Sequence, residues 1–184
     1  MKADVKAEAF VRRRRLLSAG GGLLLAAGGG PLLAVAPARA AATDEVEIAM
    51  AGTATGSEVW FRPRGLLIRP GQTVRWVNRD TGNVHTTTAY HPANHKARRI
   101  PEGAASWNSD YLMPGQSFAL RFEVPGVYDY FCIPHEHAGM VGRIIVGTAD
   151  AAARPYAATD AELPPQALDR LPAVADILRG SPVR

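Results

Sequence analysis

One nine-residue stretch decides the fold of this chain: Cys132-Ile133-Pro134-His135-Glu136-His137-Ala138-Gly139-Met140. It contains the single cysteine of the chain, a histidine three positions later and a methionine five positions beyond that. A thiolate, an imidazole and a thioether are metal ligands, and this short spacing allows all three to face one ion. The stretch therefore predicts a metal site that needs one more ligand from elsewhere in the chain.

Two histidines, one cysteine and a weak axial methionine are the ligands of copper sites that transfer electrons. The second histidine should come from another strand or loop. His85 is the best candidate, because it follows a strand-like run at 72–78 and a turn containing glycine. His91 and His95 lie close in the sequence, and either could replace His85 or form a second, looser site with His137.

The N-terminal segment 1–40 is predicted to be an export signal. A basic region ending in Arg12–Arg15 precedes an apolar run, and Ala38-Arg39-Ala40 has the small residues of a cleavage site before Ala41. Paired arginines followed by leucines are typical of the twin-arginine export signal of bacteria. An uncleaved membrane anchor is the alternative, but glycines interrupt the apolar run.

Removal of this signal changes the charge of the chain. The whole sequence has 21 basic and 17 acidic residues, of which seven basic and two acidic residues belong to 1–40. The remaining 14 basic and 15 acidic residues give a net charge of −1, and no basic patch interleaved with aromatic residues indicates nucleic-acid binding.

A lone cysteine in an exported protein cannot form an internal disulfide, and metal coordination would protect it from oxidation.

Short alternating or apolar runs predict an all-β domain between residues 41 and 147. Aromatic and β-branched residues are frequent in these runs, and three Pro-Gly pairs precede strand-like segments, as in type II turns. Several short strands at this spacing indicate a sandwich or a barrel. The predicted strands are 46–50, 66–68, 72–78, 118–122, 127–131 and 141–146.

Two other segments depart from the strand pattern. Residues 89–113 form a long irregular insertion that carries Lys96, Arg98 and Arg99, which are either solvated charges or a docking surface for an anionic partner. Residues 148–184 form a tail rich in Ala and Pro, whose spaced apolar residues predict one or two short helices.

The ligand stretch and its surroundings resemble the cupredoxins, especially plastocyanin and pseudoazurin. The likeness is strongest in Tyr130–Gly142 and in Val74–Asp80, which leads to His85, and it extends over residues 46–147. It implies a Greek-key β-sandwich that binds one type 1 copper ion. The ligands that the resemblance implies are His85, Cys132, His135 and Met140.

The chain departs from that family next to two of the implied ligands. In plastocyanin-like proteins an asparagine often follows the first histidine, and its side chain ties the two ligand loops together. Here Thr86 follows His85 and Ile133 follows Cys132. The tie must therefore be weaker or built differently.

The resemblance implies a carrier of single electrons, not an enzyme. Its partners would be redox proteins such as a cytochrome or a copper reductase or oxidase, met transiently. The export signal predicts the periplasm, and a monomer is the default expectation for the oligomeric state. A copper-binding or delivery protein without net electron transfer is the alternative, since His91, His95 and His137 could take part in handover. A nucleophilic Cys132–His135 pair would need a third orienting group, and no motif for one is present.

Overall fold

The structure, a computed structural model, describes residues 44–148, 150–151 and 163–184. The predicted export signal 1–40 and its cleavage site lie outside these residues. The described strands are β1 (Glu45–Gly52), β2 (Val59–Arg62), β3 (Gly65–Ile68), β4 (Gln72–Asn78), β5 (Thr88–Ala89), β6 (Ser117–Phe122), β7 (Gly126–Phe131) and β8 (Val141–Val146). The described helices are α1 (Pro165–Arg170) and α2 (Val174–Gly180), and 3-10 turns occupy Pro92–Asn94 and Ile133–Ala138.

The strands form two four-stranded sheets, which confirms the predicted all-β fold. The first sheet has the order β2-β1-β4-β6 and the second has the order β3-β8-β7-β5. The β1–β4 and β3–β8 pairs are parallel, and the other pairs are antiparallel. All six predicted strands are present, and the sequence interpretation missed the short edge strands β2 and β5.

The main core lies between the two sheets and is rich in aromatic side chains. Trp76 from β4 and Tyr130 from β7 are completely buried and meet edge to face, with ring centroids 5.4 Å apart. Trp107, from the long insertion, packs against both rings. Rings of this size bury a large apolar area, so the cluster stabilises the sandwich directly beneath the end of β7.

The second sheet is buried on both faces because the tail packs on its outer side. Every residue of β7 and β8 is buried, although their outward positions include Asp129 and Arg143. Ala167 of α1 packs with Phe131, and Ile177 of α2 packs with Ile145. The predicted tail helices therefore complete a second apolar layer. No helix in the described ranges is long and apolar enough to span a membrane.

The cations of the long insertion do not form a common docking surface. Arg99 is 2% exposed and binds the completely buried carboxylate of Asp129, with 2.9 Å between Nε and Oδ2. Lys96 binds the buried carboxylate of Glu136. Only Arg98 is left exposed to solvent, so the insertion uses two of its three cations to attach itself to the sheet and to the ligand stretch.

Candidate metal centre

The end of β7 and the start of β8 hold the ligand stretch between them. β7 ends at Phe131, the 3-10 turn follows Cys132, and Met140 directly precedes β8. The Cys132 N–H donates to the Met140 carbonyl at 3.0 Å, and the Met140 N–H donates to the His135 carbonyl at 3.1 Å. Gly139 closes the turn with a φ of 79°, a left-handed conformation that favours glycine. The stretch is thus a short loop fixed at both ends.

His85 is placed by a separate set of hydrogen bonds at the end of β4. Its backbone pairs with Leu112 through two hydrogen bonds, of 3.2 Å and 2.8 Å. The side-chain amide of Asn78 donates to the carbonyls of Asn83 and Leu112. These bonds fix the turn between β4 and His85 and bring the imidazole beneath the ligand stretch.

Three donor atoms converge at this point. The Nδ1 atoms of His85 and His135 are 3.2 Å apart, and they lie 3.7 Å and 3.4 Å from the Sγ of Cys132. Donors that share one ion at bond lengths near 2.0–2.3 Å lie about 3–4 Å apart. Their chemistry and spacing therefore fit a copper ion. These three residues are the one group of at least three His, Cys, Asp or Glu side chains that could hold a metal ion within the described parts of the chain.

Burial differs among the predicted ligands. His85, Cys132 and Met140 are completely buried, whereas His135 is partly exposed. The structure thus brings His85, and neither His91 nor His95, to Cys132 and His135. That these side chains bind copper stays a prediction, which the donor geometry supports.

Burial also sets the protonation of the donors. It raises the pKa of the Cys132 thiol to about 11, against the lowering effect of hydrogen bonds from Thr86. It lowers the pKa of both His85 and His135 below the ordinary value, so both imidazoles are neutral at pH 7. Nucleophilic cysteines instead have lowered pKa values. The thiol is therefore inert until a cation displaces its proton.

Asp80 orients His85 from the side opposite to the donor cluster. Its Oδ2 lies 3.1 Å from the Nε2 of His85, and the two side chains are 4% and 0% exposed. Because a carboxylate only accepts, Nε2 carries the hydrogen and Nδ1 presents its lone pair to Cys132 and His135. Asp80 also accepts hydrogen bonds from the backbone N–H groups of Gly82 and Asn83, which fix the carboxylate itself.

We expect Asp80→Ala to weaken copper binding about 10- to 100-fold, the usual effect of losing the partner of a ligating histidine. Asp80→Asn, which keeps the shape and one acceptor, should have a smaller effect. The affinity can be measured by competition with a copper chelator, with the exposed Glu102→Ala as the control. Equal affinities for the Asp80→Ala and Glu102→Ala variants would show that Asp80 does not orient His85.

Asp80 should also make the metal-free protein sensitive to acid. Burial alone would raise the pKa of Asp80, but hydrogen bonds from Asn83, Gly82 and His85 lower it from 3.8 to about 2. A lowered pKa stabilises the fold above pH 3.8, and this contribution of about 2 kcal/mol is lost as the pH falls toward 2. The free energy of unfolding of the wild type should therefore exceed that of Asp80→Asn at pH 5.5, and the difference should shrink at pH 2.5. A difference independent of pH would contradict this assignment.

Thr86 ties the two ligand loops together through its hydroxyl and its backbone. The Thr86 N–H lies 3.3 Å from the Sγ of Cys132, and its Oγ1 accepts a 2.8 Å hydrogen bond from the Ile133 N–H. The Thr86 hydroxyl also forms a hydrogen bond with the Thr88 hydroxyl. Thr88 in turn donates a hydrogen bond to the Oδ1 of Asn108 in the insertion. The expected tie is therefore present but built differently, since it needs no polar side chain at Ile133.

Thr86→Val should lower the free energy of unfolding of the metal-free protein by about 1–3 kcal/mol, because the Ile133 N–H loses its buried acceptor. Thr86→Ser keeps the hydroxyl and serves as the matched control, with a loss of under about 1 kcal/mol. Urea denaturation of both variants measures the difference. Equal losses would mean that the methyl group, and not the hydroxyl, stabilises this position.

The other histidines lie outside the donor cluster. His91 accepts a hydrogen bond from the Ala93 N–H and caps a 3-10 turn, and His95 follows that turn. His95 and His137 are exposed and line a cavity of about 470 Å³ beside the ligand stretch. Together with Glu136 they form no second group of metal-binding side chains in the parts of the sequence that the structure covers.

Comparisons with known proteins agree with the geometry of the site. Residues 48–147 match the model of a family described as copper binding proteins, plastocyanin/azurin family. The chain is 39% identical to plastocyanin from Scenedesmus fuscus over 90 residues, which cover 47% of this chain and 85% of that protein. It is 31% identical to pseudoazurin from Methylorubrum extorquens over 118 residues, which cover 62% and 70% of the two chains.

A solved structure shares the same architecture. The pseudoazurin from Sinorhizobium meliloti aligns with a TM-score of 0.52 and 26% identity, over 73% of this chain and 92% of that chain. This likeness confirms the predicted cupredoxin β-sandwich, and the cofactor implied by the family is one type 1 copper ion. The family match spans more than half of the sequence and includes the sheet pair, the donor cluster and Met140. The chain therefore belongs to the plastocyanin/azurin family of copper-binding proteins, whose members are electron carriers.

Proposed function

We propose that this protein is an exported carrier of single electrons in which one type 1 copper ion is held by His85, Cys132, His135 and Met140. The observation that carries the proposal is the convergence of two imidazole nitrogens and one thiol sulfur within 3.2–3.7 Å of one another. When bound, the ion supplies a one-electron couple between Cu(I) and Cu(II). Met140, buried at the end of the same loop, is the proposed weak axial ligand.

The hydrogen bonds around the donors support electron transfer because they keep the donors in place. Asp80 fixes the ring of His85, Thr86 joins the two loops, and the Cys132 and Met140 backbones bind each other. Ligand side chains held by these hydrogen bonds should move little when a bound copper ion gains or loses an electron. Preorganised polar groups of this kind avoid the cost of rearrangement during a reaction.

His135 is the proposed port through which electrons enter and leave. It is partly exposed, whereas His85 and Cys132 are completely buried. The neighbouring Ile133 is 41% exposed and Pro134 is also exposed, so the ring edge lies at an apolar surface. Transient redox complexes use small interfaces, and a surface of this kind is sufficient for brief contact.

The proposed setting is the bacterial periplasm. Segment 1–40 would direct twin-arginine export and be removed near Ala40 and Ala41, leaving a cupredoxin domain at 41–147 and a tail at 148–184. The proposed partners are a cytochrome or a copper reductase or oxidase. The mature chain would act as a monomer without nucleic acid or stable membrane insertion.

The test is electrochemistry of the copper-loaded protein, with metal retention measured in parallel. The proposal predicts reversible one-electron cycling with full retention of copper in the presence of a weak chelator. His135→Ala should remove the reversible wave, whereas the exposed neighbour variant His137→Ala should keep it. Loss of copper to the chelator faster than electron exchange would contradict the proposal and favour copper delivery instead.

A further inference from the structure

Four arginines surround one cavity on the flank of the domain. They come from the β2 end of the first sheet, from α1 and from the end of the tail, and the cavity has a volume of about 280 Å³. We call it the arginine groove and define it by Arg62, Arg64, Arg170 and Arg184. Glu58, Trp60 and Phe61 complete the lining, and Arg62 lies over the Trp60 ring at 5.9 Å.

These four cations lack the partners that nearly all other cations of the described residues have. None of the four forms an ion pair with a carboxylate in the covered part of the chain, and Arg98 is the one further cation in the same situation. The ion pairs found elsewhere are Arg69–Asp44, Arg75–Glu45, Arg79–Glu47, Lys96–Glu136, Arg99–Asp129, Arg121–Glu123, Arg143–Asp129 and Arg179–Asp176. Glu58 also lines the groove and pairs with none of the four arginines, so four positive side chains face one negative side chain there and the balance is positive.

The arginine groove adjoins the ligand stretch. A side-chain carbon built at Gly139 would lie 2.7 Å from the Cγ of Arg170 and 2.9 Å from the Gln166 carbonyl. Helix α1 thus runs directly over the residue that precedes Met140. Arg170 therefore lines the groove and also packs on the loop that carries Cys132, His135 and Met140.

We propose that the arginine groove docks a carboxylate-rich surface of the redox partner. The proposal rests on the proposed electron-carrier function for the nature of that partner. Guanidinium groups bind carboxylates through two parallel hydrogen bonds, and unpaired surface charges of one sign speed the encounter with the opposite sign. Docking here places the partner against Arg170, whose side chain packs on Gly139 of the ligand stretch.

The test is an NMR titration of the ¹⁵N-labelled protein with deca-glutamate, in both the reduced copper-loaded and the metal-free forms. Backbone shifts are expected in residues 58–64, 139 and 166–170. The double variant Arg62→Gln/Arg184→Gln should bind about tenfold more weakly, because two charge-assisted contacts are lost. The matched control is Arg69→Gln/Arg121→Gln, which removes the same charge from exposed ion-paired sites and should change the affinity less than about twofold at 0.15 M salt.

Two outcomes would overturn the docking proposal. Equal weakening by both double variants would mean that deca-glutamate responds only to net charge. Inorganic phosphate that binds the groove as tightly as deca-glutamate would identify a small-anion site instead. The titration does not depend on electron transfer, so it tests docking separately from the proposed function. A protein without a type 1 copper spectrum could still bind deca-glutamate in the groove.

Discussion

Cys132→Ser is expected to remove the intense visible absorption of the copper-loaded protein, with at least about a tenfold loss of intensity. The band of a type 1 site comes from charge transfer between a thiolate and copper, and a serine hydroxyl provides no such donor. Cys132 is the single cysteine of the chain, so no other thiol can replace it. The measurement is the visible spectrum after addition of Cu(II) to equal concentrations of both proteins.

The matched control is Met140→Leu, which removes the proposed axial ligand and keeps the thiolate. This variant should retain an intense band, because the axial ligand mainly tunes the potential. Circular dichroism of the metal-free Cys132→Ser variant should match that of the wild type, since serine is close in size to cysteine. An unchanged visible band in a folded Cys132→Ser variant would refute the assignment of Cys132 as a ligand.

Asp129→Ala should lower the free energy of unfolding by about 3–5 kcal/mol, the effect of breaking a buried ion pair from one side. Asp129 is completely buried and binds Arg99 at 2.9 Å and Arg143 at 2.6 Å. Arg143 in turn donates to the Pro172 carbonyl at 2.8 Å. Removal of the carboxylate leaves two buried guanidinium groups without their main partner and loosens both the insertion and the tail from β7.

Urea denaturation of the metal-free protein measures this effect. Asp176→Ala breaks the exposed Arg179–Asp176 pair and is the control, with an expected loss of under about 0.5 kcal/mol. Asp129→Asn keeps the shape and part of the hydrogen bonding, so its effect should lie between the two. A loss below about 1 kcal/mol for Asp129→Ala would show that the buried arginines find other partners at little cost.

The strands that the sequence predicts are those with a clear pattern. Residues 72–78 alternate and end in Asn78, and β4 has these same bounds. The missed strand β2 has only four residues, and β5 has two, so neither contains enough positions to show a period. Both are edge strands that form by pairing with a longer neighbour, and this pairing is a tertiary effect absent from the local sequence.

The proposed metal ligands can be predicted from the sequence. Most of the residues that hold those ligands in position cannot. The spacing of Cys132, His135 and Met140 is local, and His85 follows from a turn next to a predicted strand. Asp80 lies five positions before His85 and looks like an ordinary turn residue, and only the folded loop turns its carboxylate toward the imidazole. An acidic residue a few positions before a proposed histidine ligand could have predicted this hydrogen bond, since ligating histidines usually have a carboxylate or carbonyl partner.

The distribution of surface charge also depends on the tertiary structure and could not be predicted from neighbouring residues alone. Lys96, Arg98 and Arg99 are neighbours in the sequence and suggested a cationic cluster, but Lys96 and Arg99 turn inward to buried carboxylates. The arginine groove instead combines residues more than a hundred positions apart, Arg62 and Arg170 among them. No local pattern can reveal such a cluster, because it exists only after the tail packs on the sandwich.

The most direct test of the proposed copper site is the visible and EPR spectrum of the mature protein loaded with one equivalent of Cu(II). An intense blue or green thiolate-to-copper band, together with narrow copper hyperfine splitting, is the predicted result for ligation by His85, Cys132, His135 and Met140. A pale solution with the wide hyperfine splitting of an ordinary Cu(II) complex would contradict it.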